Sequence, residues 1–498
     1  AYLNFNADNC KNCYKCLRAC PVKAITVIDE RARIDDRLCI LCGHCVDSCR
    51  FNAKEVAGSI EQVKKLLKSG NVVASVAPAF VAGFDTSFTA FRDALLKLGF
   101  ADAEETAVGA DAVTAEYDKL LKSGQYKNLI ASACPALVRL IQLYYPAALK
   151  YLAPVDSPMV AHAKILKNAD RKRKVVFIGP CIAKKREADD SGVVDGVLTF
   201  EEMQTMFADA GITFDATADE TGTVNRARYY PINRGIIKSF YEFAPNYEYI
   251  SVDGVERSKE VLSNIDDLSG MFIEMHACEF SCINGPCALN KDKGGFIKAT
   301  ERVRGYAKTG SKPFAHAPAT EIKADYKPLR DIRVIPPEYE IRRILEATGK
   351  HTPADELNCG ACGYPTCRDK AIAVYNGMAQ LEMCVPFMRQ RAESMSYDII
   401  QSSPNGILAV DGDCRIIEIN DTAKAILGIA DKRPKGELLD KYFNPADFYI
   451  ALMEHKEVDR RRQLIDKTGR WVELTVKPIA SQNIAFAIFT DITDEIES

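Results

Sequence analysis

The sequence predicts a multi-domain protein of the mixed α+β and α/β class, for three reasons. The chain has 498 residues, more than a single hydrophobic core usually serves. Beyond residue 70, short apolar strands alternate with helical stretches, which is typical of a mostly parallel α/β sheet. The chain has 18 cysteines but only 6 histidines, and most of the cysteines lie in closely spaced runs. We therefore expect a central α/β domain accompanied by small metal-binding modules.

Composition and charge exclude several functional classes. The net charge of −3 argues against a broad nucleic-acid-binding surface. No apolar run approaches the roughly 20 residues that span a bilayer. The first residues, AYLNFNADNC, lack the basic start and apolar middle of a signal peptide. We therefore expect a cytoplasmic protein that binds neither nucleic acid nor membrane.

The cysteine usage favours iron–sulfur clusters. Disulfides are a poor explanation for 18 cysteines in a chain of this length without a signal peptide. The scarcity of histidine favours thiolate-bound iron–sulfur over mixed zinc sites.

The pattern C-x2-C-x2-C-x3-C occurs twice within the first fifty residues. Its cysteines are Cys10, Cys13, Cys16 and Cys20, then Cys39, Cys42, Cys45 and Cys49. In this pattern three thiolates bind one 4Fe–4S cluster and the fourth binds the other. We expect one cluster on Cys10, Cys13, Cys16 and Cys49, and a second on Cys20, Cys39, Cys42 and Cys45.

This stretch resembles the bacterial two-cluster ferredoxins, and we assign residues 1–58 to such a domain. Arg50 departs from the resemblance, because a proline usually follows the last cysteine. A nearby charge can shift a cluster's potential without removing the cluster. A zinc module is the alternative. A two-cluster module carries electrons, so a site that makes or takes electrons is expected further along.

Four more cysteines each follow a predicted strand. They are Cys134 in NLIASACP, Cys181 in KVVFIGPC, and Cys278 and Cys282 in GMFIEMHACEFSC. In parallel α/β sheets, ligands bind beyond the carboxyl ends of the strands. These thiols can therefore converge on one point, although they are far apart in sequence.

The segments SACP, GPCIAKKRE and EMHACEFSCINGPC resemble the three signature loops of the FeFe-hydrogenase catalytic domain, which we assign to residues 59–330. The matching positions are Ser132, Cys134 and Pro135 in the first loop, Pro180, Cys181, Lys184 and Glu187 in the second, and Glu274, Ala277, Cys278, Cys282 and Gly285 in the third.

The resemblance implies the H-cluster of that family: a 4Fe–4S cube on the four thiolates, joined through Cys282 to a two-iron unit that carries CO, cyanide and a bridging dithiolate. It implies Lys184 as the hydrogen-bond donor to one cyanide, and a buried ammonium beside an anionic ligand forms a strong bond. A solvated surface lysine is the alternative. The further cofactor-binding positions that we assign are Ala77, Pro78, Ala79, Ser132, Pro180 and Glu187.

The sequence departs from this resemblance around the two-iron unit. Ala133 stands where the family has the cysteine that relays protons, and alanine has no proton to give. Gly179 and His276 replace two methionines, and Leu137 replaces a tryptophan. A positioned general acid–base contributes roughly 10²–10⁴-fold in rate. We therefore expect slow turnover with hydrogen binding retained.

Other groups are candidates for part of the lost role. His276 either takes part in proton transfer or tunes the cofactor by hydrogen bonding, and we favour the second. Cys287, in the altered tail of the third loop beside Pro286, is a proton group or a small buried residue, and we favour the latter. Glu116 aligns only loosely with a carboxylate of the family's proton path.

A third cluster motif follows, with the spacing C-x2-C-x4-C-x16-C. Its cysteines are Cys359, Cys362, Cys367 and Cys384. The motif resembles the small iron–sulfur domains of electron-transfer and corrinoid proteins, and zinc is the alternative. We assign residues 331–396 to this 4Fe–4S domain and a helical connector. The expected cofactors are therefore three 4Fe–4S clusters and the H-cluster.

The C-terminal residues 397–498 resemble a PAS domain. They alternate strand, turn, strand and helix, carry Asn420 at the family's usual asparagine, and close with three strands and the segment DIT. PAS domains sense ligands or dimerise, and no residue clearly marks haem or flavin binding. Cys414 lies outside every cluster motif.

We arrive at three hypotheses. The first is a sensory FeFe-hydrogenase that binds and slowly oxidises or produces H2 and reports hydrogen or redox state through its clusters and PAS domain. The second is an ordinary catalytic, ferredoxin-linked hydrogenase. The third is a non-catalytic hydrogenase-like iron–sulfur protein without the two-iron unit. The expected partners are H2 and protons, ferredoxin or another redox protein, a signalling protein, and a second copy through the PAS domain or connector helix.

Overall fold

The computed structural model describes residues 1–29, 31–214, 225–289, 295–308, 320–430 and 434–497. The chain divides into two units, Ala1–Leu381 and Glu382–Ser498. Among the described residues, no helix has the length and apolar character needed to cross a membrane.

The N-terminal repeats fold as two similar halves. Their elements are β1 (Leu3–Phe5), α1 (Lys15–Ala19), β2 (Ile25–Ile28), β3 (Arg31–Ile34), α2 (His44–Asp47) and β4 (Lys54–Val56). β1 pairs with β4 and β2 with β3, both antiparallel. Cys16 lies in α1 and Cys45 in α2, so each cysteine run contributes one short helix. This is the ferredoxin-like arrangement that the repeat predicts.

The central region alternates strands with helices, and its strands are parallel. The strands are β5 (Val72–Val76), β6 (Asp102–Glu105), β7 (Asn128–Ile130), β8 (Lys174–Gly179), β9 (Gly196–Thr199), β10 (Glu248–Asp253) and β11 (Met271–His276). The helices are α3 (Ile60–Lys68), α4 (Phe80–Phe84), α5 (Phe88–Lys97), α6 (Ala107–Lys122), α7 (Pro135–Tyr144), α8 (Pro158–Ala169), α9 (Ala183–Ser191), α10 (Phe200–Asp209), α11 (Gly235–Ser239), α12 (Val255–Ser263) and α13 (Gly295–Lys308).

The predicted parallel α/β arrangement is confirmed, but the strands form two sheets. One sheet has the order β6-β5-β8-β9 and the other the order β10-β11-β7. β5 is buried along its whole length, and so is all of β8 except its first residue, as expected for strands covered by helices on both faces. The two sheets bring strand ends from distant parts of the chain into one region.

The segment that carries the third cysteine motif is helical around a small core. Its helices are α14 (Glu338–Glu346) and α15 (Cys367–Tyr375). Ile341 and Leu345 of α14 pack against Ala371 of α15. Thr366 caps α15 by accepting a hydrogen bond from the backbone N–H of Asp369 at 3.0 Å.

The second unit has the PAS architecture that the sequence predicts. Its elements are α16 (Val385–Gln401), β12 (Gly406–Val410), β13 (Ile416–Ile419), α17 (Asp421–Leu427), α18 (Ala446–Glu454), β14 (Val458–Ile465), β15 (Arg470–Ile479), β16 (Ile484–Asp491) and α19 (Thr493–Glu497). The antiparallel sheet has the order β13-β12-β16-β15-β14.

Asn420 connects three elements of this unit. Its side-chain oxygen accepts hydrogen bonds from the backbone N–H groups of Ile407 and Ala423, each at 2.8 Å. Its amide donates to the carbonyls of Ile400 and Asn405, each at 2.9 Å. One fully buried side chain therefore ties the end of α16 to β12 and α17, which explains why asparagine suits this position.

Candidate functional site

The structure brings together the four cysteines that follow predicted strands. Cys134 follows β7 and is the N-cap residue of α7. Cys181 lies between β8 and α9, and Cys278 and Cys282 follow β11. All four line one cavity of about 40 Å³, and none is in a disulfide. The thiols come from the carboxyl ends of strands in both sheets, so the centre lies where the two sheets meet.

The electrostatics of these thiols fit a bound cationic cluster. Burial raises the pKa of Cys134 and Cys278, and burial together with the neighbouring Cys134 and Cys282 raises the pKa of Cys181 to about 12. Four thiolates crowded into such a site repel one another unless positive charge lies between them. The irons of a 4Fe–4S cube supply that charge.

The arrangement differs from a site for one metal ion. Within the part of the chain that the structure describes, no three His, Cys, Asp or Glu side chains are grouped to hold a single metal ion. The thiolates around a cube each bind a different iron, so they need not share one centre. The residues present therefore fit the cube that the resemblance implies.

A second cavity, of about 90 Å³, adjoins the cysteine cavity and shares Cys134, Cys181 and Cys282 with it. Its wall includes other residues predicted from the resemblance: Ala77, Pro78, Ala79, Ala133, Pro180, Lys184 and His276. We call it the side cavity. It lies beside Cys282, where the resemblance expects the two-iron unit.

Two predicted cofactor-binding positions lie behind the wall of the side cavity. Ser132 is fully buried, donates to the Val155 carbonyl at 2.7 Å and lies 3.1 Å from the Tyr117 hydroxyl oxygen. Glu187 accepts a hydrogen bond from Lys184 at 2.7 Å. Neither residue lines the cavity, but Glu187 holds Lys184, which does.

Lys184 is buried, with only 8% of the residue exposed, so the alternative of a solvated lysine is wrong. Its ammonium group donates to Glu187 at 2.7 Å, to the Ser157 hydroxyl at 3.0 Å and to the Ala133 carbonyl at 3.4 Å. The carboxylate compensates the buried charge. Lys184 therefore presents a fixed positive charge in the wall of the side cavity.

His276 is a second ionisable group in the wall of the side cavity. Burial by itself lowers the pKa of this imidazole, but the neighbouring Cys282 sulfur and the Glu274 carboxylate outweigh burial and hold the pKa well above its usual value. Nε2 lies 3.0 Å from Glu274 Oε1. Glu274 is itself fixed by the backbone N–H of Ile237 at 2.9 Å. The imidazole is therefore held beside Cys282, the thiol that the resemblance assigns to both halves of the cofactor.

Sequence reasoning missed Phe177, Thr106 and Tyr230, which also line the side cavity. Phe177 explains Gly179, two residues further along β8. A Cβ added at Gly179 would lie only 2.6 Å from the Phe177 ring and 3.3 Å from the Ala77 side chain. The aromatic ring occupies space that a side chain at position 179 would need. The signal available in the sequence was a large apolar residue two positions before a glycine on one strand, because both side chains then lie on the same face.

The second ferredoxin-type run adjoins the cysteine cavity, since Cys42 lines it. Arg139 of α7 and Arg186 of α9 both donate to the Cys39 carbonyl, at 2.9 and 3.0 Å. They also donate to the Asp36 carbonyl, at 3.3 and 3.1 Å. The helices that start near Cys134 and Cys181 are thus bonded directly to the loop that carries Cys39.

The third cysteine motif contacts the first ferredoxin-type run. Arg18 of α1 donates to the Ala361 carbonyl at 3.1 Å. Tyr364 is buried, and its pKa is raised by burial and then by the neighbouring Cys362 and Cys20. The loop of Cys359, Cys362 and Cys367 therefore lies near Cys20. Cys384 belongs to the second unit, where it is buried at the start of α16.

Four family models match the chain. They describe an iron-only hydrogenase large subunit, C-terminal domain, at residues 70–246; a 4Fe–4S dicluster domain at residues 2–50; a putative Fe–S cluster at residues 355–386; and a PAS domain at residues 404–494.

Two individual relatives are hydrogenases by name. The chain is 26% identical over 375 residues to iron hydrogenase 1 of Clostridium pasteurianum, covering 52% of this chain and 65% of that protein. It is 26% identical over 258 residues to the periplasmic Fe hydrogenase large subunit of Nitratidesulfovibrio vulgaris, covering 42% and 61%. The chain therefore spans just under two thirds of each relative's length. A solved FeFe-hydrogenase from Chlamydomonas reinhardtii aligns with a TM-score of 0.41 and 16% identity, covering 53% of this chain and 92% of that chain.

The fold and these matches define a multi-domain iron–sulfur protein of mixed α/β class with a hydrogenase large-subunit domain. With the dicluster domain before it and the PAS domain after it, the chain matches a PAS-containing FeFe-hydrogenase. The predicted resemblance to a PAS-containing FeFe-hydrogenase and the predicted fold class are both confirmed.

Proposed function

We propose that this protein is a sensory FeFe-hydrogenase, which binds and slowly oxidises or produces H2 and reports hydrogen or redox state through its clusters and PAS domain. The observation that supports this most is the contrast inside one site. The four-cysteine cavity is complete, whereas Ala133 puts a methyl group in the wall of the side cavity where the resemblance expects a proton-relaying thiol.

We assign the residues as follows. Cys134, Cys181, Cys278 and Cys282 hold the cube, and Cys282 also joins the two-iron unit. When bound, that unit supplies the redox-active irons at which H2 is bound and cleaved. Lys184 and His276 place positive charge against its anionic ligands, and the mostly apolar wall around them excludes water, which strengthens both interactions.

The contacts support an order for the electron carriers. The cluster of Cys20, Cys39, Cys42 and Cys45 lies next to the cysteine cavity on one side, and the loop of the third motif lies near Cys20 on the other. We propose that electrons pass between the catalytic centre and the third cluster through this second ferredoxin-type cluster. Ferredoxin or another redox protein is the proposed external partner.

The reporting step uses the chain between the third motif and the PAS domain. Cys384 directly precedes α16, whose C-terminal end is tied to the PAS sheet by Asn420. A change in charge on a cluster bound by Cys384 would act at the N-terminus of α16, where the helix dipole makes the helix sensitive to nearby charge. We propose a cytoplasmic protein that passes this change to a signalling partner and that pairs with a second copy through the PAS domain or α16.

Infrared spectroscopy after maturation with a synthetic two-iron unit tests the proposal. Bands of iron-bound CO and cyanide that respond to H2, with slow turnover, support it. Bands with fast turnover would favour an ordinary catalytic hydrogenase. Absence of the bands, at an iron content equal to four 4Fe–4S cubes alone, would leave a non-catalytic iron–sulfur protein.

A further inference from the structure

A row of hydrogen-bonding side chains runs from the side cavity to the protein surface. Thr106 lines the cavity, and its hydroxyl oxygen lies 2.7 Å from that of Ser75. Ser75 Oγ lies 2.8 Å from His162 Nδ1. On the far side of the imidazole, Nε2 lies 3.6 Å from Glu104 Oε2. Thr106, Ser75 and His162 are buried, whereas the Glu104 side chain is 39% exposed.

The fold holds this row in place. Ser75 of β5 and Glu104 of β6 are partners in the parallel register, so their side chains lie on the same face of the sheet. His162 of α8 covers that face. Gly109 of α6 lets the two helices approach closely, since a Cβ there would lie 2.7 Å from the His162 Cβ and would overlap the Pro158 carbonyl. A side chain at position 109 would push His162 out of the row.

A purely structural role does not account for His162. The residue is completely buried, yet its Nε2 has no hydrogen-bond partner among the described residues. A buried polar atom without a partner costs about 1–3 kcal/mol. An apolar side chain would fill the same space without that cost. The unpaired nitrogen faces Glu104, and one rotation of the exposed carboxylate, or one water molecule, closes the 3.6 Å gap.

The Tyr230 hydroxyl, which also lies in the wall of the side cavity, does not begin a comparable hydrogen-bonded route to the surface. The Tyr230 hydroxyl lies 2.8 Å from Thr114 Oγ1, which in turn lies 2.7 Å from Ser239 Oγ. Ser239 donates to the carbonyl of Ile236 in its own helix, and all three hydroxyl residues are buried. This second row ends inside the protein, whereas the row through His162 ends at an exposed carboxylate.

We propose that Glu104, His162, Ser75 and Thr106 form a proton relay between solvent and the side cavity. The relay rests on the proposed function, because it delivers the protons that H2 chemistry there consumes or releases. It replaces, by a different route, the thiol that Ala133 lacks.

Each relay group gains one proton and loses one. For inward transfer, the Glu104 carboxylic acid gives its proton to His162 Nε2, and the imidazolium releases its Nδ1 proton to Ser75. The hydroxyl proton of Ser75 passes to Thr106, whose own proton leaves into the cavity. Solvent then reprotonates Glu104, the hydroxyls rotate back, and a 180° flip of the imidazole ring again presents an N–H to Ser75 and a bare nitrogen to Glu104. No electron moves along the row, and H2 oxidation runs it in reverse.

The first test uses the matured protein with two variants that break the relay at different depths. Glu104→Gln should lower H2 turnover at saturating reductant at least tenfold, and a high concentration of imidazole buffer should restore the rate, because a soluble acid can replace a surface group. Ser75→Ala should lower turnover to a similar degree without restoration, since its break is buried. Asp102→Asn, which removes an equally exposed carboxylate of β6 that is paired with Arg92 at 2.8 Å, is the matched control and should leave turnover unchanged.

The second test does not depend on turnover. In protein that carries its cubes but no two-iron unit, ¹⁵N-labelled histidine reports the two ring nitrogens of His162 by NMR. Glu104→Gln should shift the Nε2 resonance and Ser75→Ala the Nδ1 resonance. If neither variant shifts a resonance, or if CO and cyanide bands are present and both variants turn over at the wild-type rate, the relay is overturned. Missing CO and cyanide bands in the matured wild type would overturn the proposed function instead.

Discussion

The cysteine cavity and the side cavity differ in how closely their residues match the FeFe-hydrogenase resemblance. The cysteine loops around Cys134, Cys181, Cys278 and Cys282 are complete and converge on one centre. In the side cavity, Ala133 stands where the resemblance expects a thiol, and Phe177 occupies the space that a side chain at Gly179 would need. The residues that the resemblance assigns to metal binding are retained, and those that it assigns to proton transfer are changed.

On the proposed function, metal retention and proton transfer depend on separate residues. A thiolate ligand must lie at one fixed point, so the loss of one cysteine removes a bond to iron. A proton can reach the same cavity along any connected row of donors and acceptors. The wall can therefore change, and slow the reaction, without loss of the cofactor. Substitutions on the two sides should then have qualitatively different effects.

The largest effect is expected from Cys282→Ala on the metal-holding side. Because Cys282 lines both cavities and is assigned to both halves of the cofactor, H2 chemistry should fall to background and the CO and cyanide bands should disappear. Infrared spectra and H2 uptake after maturation measure this. Cys287→Ala is the matched control, since Cys287 is a nearby buried cysteine that lines neither cavity. Retained bands and activity in the Cys282 variant would refute the assignment.

A smaller effect, in the opposite direction, is expected from Ala133→Cys on the proton-handling side. The new thiol would lie in the wall of the side cavity and offer a proton there. The gain can reach roughly 10²–10⁴-fold, or about 3–5 kcal/mol of barrier. We expect the low end, because Leu137, Gly179 and His276 also differ from the family. Turnover is compared at equal two-iron occupancy, and an unchanged rate would place the limiting step elsewhere.

The sequence predicted the metal-holding half better than the proton-handling half, and there is a physical reason. Cluster ligands need one residue type at strand ends or at short spacings, so Cys10 to Cys49 and Cys134 to Cys282 could be recognised locally. Thr106, Phe177 and His162 are ordinary residue types on separate strands and a helix. Only the register of β5 with β6 and the packing of α8 bring Thr106 and His162 together.

Pairing over long distances also limited the fold prediction. Alternating strands and helices indicate parallel pairing, but they do not say which strands are neighbours. β7 pairs with β11, which lies more than a hundred residues later, and not with the adjacent β8. The central region therefore forms two sheets, and the four cysteines that follow its strands gather where these sheets meet.

Gly179→Ala should have a moderate effect, which comes from packing rather than chemistry. The new Cβ would lie 2.6 Å from the Phe177 ring, so the ring must move or the strand must shift. Overpacking of this kind costs about 1–3 kcal/mol of unfolding free energy. Thermal or denaturant unfolding of the cube-loaded protein measures the loss. Adding Phe177→Leu should recover most of it, and full additivity of the two changes would contradict the proposed contact.

The smallest effect on H2 chemistry is expected outside the cavity, from Cys362→Ser in the third cluster motif. Cys362 lines neither the cysteine cavity nor the side cavity, so turnover with a small dye as electron donor should stay at the wild-type rate. Reporting should be lost, because the proposed route to the PAS domain passes through the third cluster and α16. Amide hydrogen exchange in α16, compared under H2 and under argon, measures this. Wild type should differ between the two gases and the variant should not.

Lys350→Ala, which removes a buried amine from the same segment without touching a cysteine, controls for general loosening of the domain. A variant that has lost the cluster but still responds to H2 in α16 would mean that the signal takes another route.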